Sequence, residues 1–158
     1  MIKIDNKFIT PLIEKAKKAE RKRTNYNFHK ELSDTLQRML NLMNKTTYIQ
    51  PHKHENPDKR EAFIILKGKG VVIEFDNDGK IKDYILLDPS IGNHGCEVAE
   101  KSWHTIICLE DNTVFYEVKD GPYNAADDKN FAAWAPKEGD IGCLEYNEKI
   151  TKQLSLND

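Results

Sequence analysis

The chain has too few cysteines, too little net charge and too short an apolar run for several large functional classes. Its three cysteines, Cys96, Cys108 and Cys143, cannot all pair within one chain and match no zinc-ribbon spacing. Cys96 and Cys108 fall in apolar, strand-like stretches, where buried reduced thiols are the default. A net charge of −2 supplies no bulk attraction to nucleic acid. The opening MIKIDNKFIT has nothing resembling a signal peptide, and no stretch approaches the roughly 18 apolar residues of a membrane span. These absences lead to the expectation of a cytoplasmic protein without nucleic-acid or membrane partners.

What remains is 158 residues, enough for one domain with a sizeable core. Thr10-Pro11 reads as a helix start, with Leu12, Ile13, Ala16 and Ala19 on one face, fading near Arg23. Leu32, Leu36, Met39, Leu40 and Met43 predict a second helix over about 31–43. From Thr46 the pattern turns to short strands, expected at 46–54, 61–67, 70–76, 81–87, 94–99, 103–109 and 113–119. Asp76-Asn77-Asp78-Gly79 is a hairpin turn. The reading is thus a helical segment over 1–45, a β-rich body over 46–120 and a loop or short-helix extension over 121–158. Exposed strand edges allow a homodimer.

Two of the five histidines stand in QPHKHENPDKRE, at 52 and 54, with Glu61 seven residues on. Strand periodicity puts both imidazoles on one face, and the turn-forming stretch 55–60 returns the chain so that Glu61 opens the next strand opposite them. Two imidazoles and a carboxylate suit a divalent transition metal with coordination positions left open. His104, in SWHT, is the candidate fourth ligand. A lone HxH on a strand is more often structural; the ordered combination H-x-H-x6-E-x6-G over 52–68 and G-x8-H over 95–104 tips the balance.

That combination resembles the two cupin motifs. The loop before Glu61 is longer than usual there, and Lys101 and Ser102 replace the customary proline and glycine before His104. More narrowly, the chain is similar to the WbuC family of cupin-fold metalloproteins. The matches are R-x-R-x-N-Y-N-x-H at 21–29, QRML at 37–40, Y-I-Q-P-H-K-H at 48–54, FDNDG, SWHT, EVKDGPY at 117–123 and FAAWAP at 131–136. The resemblance implies a mainly β fold, a cupin-type double-stranded β-helix (jelly-roll barrel), here with two N-terminal helices. It also implies a metal held by His52, His54, Glu61 and His104, and an association with surface polysaccharide biosynthesis.

Arg21, Arg23, Asn25 and His29 form a polar cluster after the first helix. Either they complement a helix C-terminus, or they fold over the mouth and bind a carboxylate or phosphate. Tyr48 and Gln50 share strand parity with His52 and are candidates for the same cavity, with core packing of Tyr48 an equal reading. Glu117 and Lys119 share one face of the last strand. No residue is assigned as catalytic. The leading expectation is a metal-dependent enzyme (Fe, Zn, Mn or Ni) on a carbohydrate or sugar-nucleotide intermediate, with an anionic sugar derivative as ligand and isomerase- or epimerase-like proton transfer. The alternatives are an Fe(II)-dependent dioxygenase on a small organic molecule and a non-catalytic cupin that binds a small ligand.

Overall fold

The computed structural model describes residues 1–156. Its first element is helix α1 (Asn6–Lys18), capped by Asp5, whose side chain accepts from the Phe8 N–H at 3.1 Å. The helix therefore starts four residues before the predicted Thr10 cap, and Pro11 lies inside it.

Strands β1 (Arg23–Asn27) and β2 (Leu36–Met43) follow. The second N-terminal helix expected over 31–43 is not formed, because most of that segment is β2. The apolar spacing misled because β2 is covered on both faces. Leu40 and Leu42 face α1 with Ile9, Ile13 and Ala16, while Met43 joins the core between the sheets. A strand covered on both sides loses its polar alternation, and its apolar positions then mimic helical periodicity. Leu40 is completely buried, so Leu40→Ala is expected to lower unfolding free energy by about 2–5 kcal/mol in urea titrations. A loss under about 1 kcal/mol would contradict the packing described.

The remaining strands are β3 (His52–Lys53), β4 (Glu61–Lys67), β5 (Gly70–Phe75), β6 (Ile81–Leu87), β7 (Gly95–Val98), β8 (Trp103–Cys108), β9 (Thr113–Asp120) and β10 (Asn130–Phe131). Only two residues of the expected 46–54 strand pair. Pro51 has no N–H to give, and the side chains of Tyr48 and Gln50 bond to main-chain carbonyls downstream. Gly68 links β4 to β5 at φ +80°, where a Cβ would lie 2.4 Å from Thr113 Oγ1.

The strands form two antiparallel five-stranded sheets, β1-β2-β9-β4-β7 and β10-β3-β8-β5-β6. Neither closes, so the expected jelly-roll barrel is replaced by a sandwich. Among the described residues β6 pairs only with β5, and β7 only with β4. The two-residue strands β3 and β10 end the second sheet early on its other side.

Phe63, Ile65 and Phe115 from one sheet meet Val72, Leu87 and Ile106 from the other. Helix α2 (Cys143–Gln153) covers the outer face of the second sheet, placing Ile150 against Val71, Ile73 and Phe75. The order of layers is α1, sheet, sheet, α2. All three cysteines are free, and burial pushes the Cys108 thiol up to about 12.

Candidate metal centre

The sandwich brings both sheets to one cluster. His52 lies on β3 directly opposite His104 on β8. Glu61 opens β4 in the other sheet, opposite Lys119 of β9. His54 follows β3. One donor atom from each of His52, His54, Glu61 and His104 falls within 4.8 Å of the others, and all four residues are buried. The four predicted ligand residues are therefore gathered at one place.

Their orientation comes from the main chain. His52 Nδ1 donates to the Gln50 carbonyl at 3.0 Å, His104 Nδ1 to the Ser102 carbonyl at 2.8 Å, and His54 Nδ1 to the Asp128 carbonyl. A carbonyl can only accept, so each ring carries its proton on Nδ1 and turns Nε2 inward. His54 Nε2 is buried 3.1 Å from Glu61 Oε1 and, having no proton of its own, makes no hydrogen bond there. His104 Nε2 faces Glu61 Oε2 at 2.8 Å. A neutral imidazole lone pair and a carboxylate oxygen repel at that distance unless a proton or a cation joins them. The residues therefore fit a metal ion: three aligned imidazole nitrogens, one of them orphaned, converge on a carboxylate.

Charge states agree. Burial, with Lys129 and His104 nearby, holds His52 well below the ordinary histidine range and keeps it neutral. Burial acts to raise Glu61, but a proton or cation shared with the facing His104 and His54 nitrogens outweighs it and holds the carboxyl well below its usual range.

The cluster opens into a cavity of about 550 Å³ between the sheets, within the usual range of small-molecule sites. Arg21, Arg23, Asn25 and His29 line it. The two arginines share Glu138: Arg23 Nη2 at 2.7 Å and Arg21 Nε at 3.5 Å. Arg23 Nη1 also donates to the Tyr48 carbonyl at 2.5 Å. Asn25 donates to Asn27 at 2.6 Å, and His29 Nδ1 accepts from the Arg38 N–H at 3.1 Å. Tyr48 and Gln50 are not among the lining residues. Tyr48 donates to the Pro136 carbonyl at 2.6 Å and Gln50 to the Ala132 carbonyl at 3.0 Å.

Sequence reasoning passed over the strap that crosses from β9 to β10. Asp128 on this strap is buried. Its carboxylate takes Lys59 Nζ at 2.6 Å and Lys119 Nζ at 2.8 Å, and Lys119 also lies 3.7 Å from Glu61 Oε1. Burial acts to raise the Asp128 carboxyl, but Lys119 and Lys59 hold it below the usual range. Glu117 faces the cavity and accepts from Asn41 Nδ2. Burial and the neighbouring Glu61 push its carboxyl up.

The family described as a domain of unknown function (DUF6016) matches residues 4–87. The chain belongs to this family. The DUF6016 match takes in His52, His54 and Glu61 and ends before His104. No curated protein matches the chain. Among solved structures, the capsular polysaccharide assembling protein CapF from Staphylococcus aureus is 21% identical with a TM-score of 0.58, over 72% of this chain and 30% of that one. L-ribose isomerase from Cellulomonas parahominis is 15% identical with a TM-score of 0.56, over 72% and 70% of the two chains. Protein SO0799 from Shewanella oneidensis is 10% identical with a TM-score of 0.60, over 97% and 98%. The DUF6016 chain thus spans about a third of the length of CapF. Identities this low show a shared fold alone. Among the described residues, no helix is long and apolar enough to cross a membrane.

Proposed function

We propose that His52, His54, Glu61 and His104 hold a divalent transition-metal ion and that the protein is an enzyme acting on a carbohydrate-related small molecule in the adjoining cavity. The supporting observation is the common Nδ1-to-carbonyl bonding of three buried histidines, which directs their Nε2 atoms onto one carboxylate. When bound, the ion supplies Lewis acidity and open positions for substrate oxygens. Glu61 is occupied by the cluster. Glu117, a buried carboxyl that faces the cavity and is steadied by Asn41, is the group placed to hold or move a proton at its Oε atoms. Isomerase- or epimerase-like proton transfer suits this arrangement. Arg21 and Arg23 also line the cavity, sharing Glu138, and offer hydrogen-bond donors to substrate oxygens.

The carbohydrate assignment draws on the printed activities of the similar folds, capsular polysaccharide assembly and L-ribose isomerisation. The narrower reading is a WbuC-like protein acting on a sugar-nucleotide intermediate of surface polysaccharide biosynthesis. It draws on motifs spread over 21–136. A homodimer in this reading uses one of the four edge strands β1, β6, β7 or β10.

The test begins with elemental analysis of protein purified without chelators, which should contain close to one metal ion per chain. Sugar nucleotides and free aldoses are then screened for isomerisation in air and in strict anaerobiosis. Turnover that survives without oxygen supports the isomerase reading. Iron-dependent oxygen uptake would replace it with the dioxygenase reading, and metal-free protein would sink the metal assignment.

A further inference from the structure

The strap that orients His54 also carries the next residue, Lys129, into the cavity. Asp128 is held at three points: by His54 through its carbonyl, and by Lys59 and Lys119 through its carboxylate. The following Cα lies about 3.8 Å farther along the chain, so Lys129 is anchored close beside the histidine–glutamate cluster. Lys129 lines the cavity together with His52, Glu61 and Glu117. Its charge acts on both His52 and Glu61.

The other cations of the cavity are engaged. Arg21 and Arg23 bond to Glu138, and Lys119 bonds to Asp128. Among the described residues no ion pair within 4 Å engages the Lys129 ammonium, although Glu61, Glu117 and Asp128 act on it at longer range. The Lys129 side chain is half-buried in the cavity wall, and the partial loss of solvent there holds its amine below the ordinary lysine range, so an anionic ligand that replaces lost solvation is favoured. A divalent cation in the cluster adds further positive charge on the same side, strengthening the preference for an anion.

We propose that Lys129 binds the carboxylate of a polyhydroxy acid at the inner end of the cavity, making this protein selective for acidic over neutral sugar derivatives. The inference rests on the metal-centred reading above and adds the substrate class and the residue that sets it. The anionic group sits beside the histidine–glutamate cluster, and the arginines at 21 and 23 contact the far end of the ligand. The long stem of Lys129 lets it follow ligands of different length while Asp128 keeps its backbone fixed.

The experiment uses full-length protein loaded with manganese(II) and calorimetric titration with gluconate and with its neutral counterpart sorbitol. The wild type is expected to bind gluconate more tightly than sorbitol. Lys129→Met should take up manganese as the wild type does but bind gluconate about 10- to 100-fold more weakly, the scale of one charge-assisted hydrogen bond. Its sorbitol affinity should stay unchanged, and Lys129→Arg should keep the preference for the acid. Equal affinity of the wild type for the two ligands overturns the inference, as does unchanged gluconate affinity in Lys129→Met. Loss of manganese uptake in Lys129→Met also overturns it, by making the lysine part of the metal site. A wild type that takes up no manganese overturns the metal reading and this inference together.

Discussion

His52→Ala is expected to purify without stoichiometric metal and to lose the thermal stabilisation that metal confers on the wild type. His52 is buried, and its Nε2 is one of the inward-facing nitrogens of the cluster. A ligand present at a thousandfold its dissociation constant stabilises by about 4.1 kcal/mol. For a chain of this length that corresponds to a melting shift of roughly 8–16 °C. The measurement is a difference: each protein is melted with added metal and with EDTA. The wild type should fall by that amount on chelation, while His52→Ala should melt at the same temperature in both conditions. Reading the shift within each protein separates loss of metal from the packing defect that alanine itself introduces. Equal metal-dependent shifts in the two proteins would remove His52 from the site.

Asp128→Asn is expected to destabilise the fold by roughly 3–5 kcal/mol, because it leaves the buried Lys59 ammonium without a carboxylate and Lys119 with only the longer contact to Glu61. Lys59 and Lys119 side chains are 1% and 5% exposed, so solvent cannot take over the pairing. Urea unfolding of the metal-free protein measures the loss. The double variant Lys59→Met/Asp128→Asn removes one charge of each sign and should recover part of the stability, a coupling that a double-mutant cycle reads directly. A single Asp128→Asn variant within about 1 kcal/mol of the wild type would show that this ion pair network does not hold the strap.

The histidine–glutamate cluster was legible from the sequence because its chemistry is carried by residue type and spacing. His52 on β3, Glu61 at the start of β4 and His104 on β8 project from regular elements, and His54 stands just past the end of β3. Residues 31–43 were misread because both faces of β2 are covered, one by helix α1 and the other turned to the cavity and core. The barrel was overread for a related reason. Strand spacing counts strands, but whether the last edges meet depends on pairing between β6 and β7, which no local pattern encodes.

Asp128 left no periodic trace, being one aspartate in a polar stretch between Pro122 and Phe131. Its importance comes from Lys59, which the long turn after His54 carries inward. That turn, a departure from the usual motif spacing, has Lys59 Nζ donating to the Pro122 carbonyl at 2.5 Å and to Asp128 at 2.6 Å. Glu117 and Lys119 were seen to share a face, but only the stacking of two sheets shows that the face lines the cavity.

The main-chain carbonyls of Gln50, Ser102 and Asp128 have one more consequence. A point substitution replaces a side chain and leaves the peptide oxygen in place, so the groups that aim the three imidazoles are shielded from most mutational change. Relatives can drift at positions 50 and 102 and still present the same nitrogens, provided the backbone path is kept, whereas position 128 also holds the strap through its carboxylate. The aiming of such a site is inherited through the course of the chain rather than through the letters of its second layer.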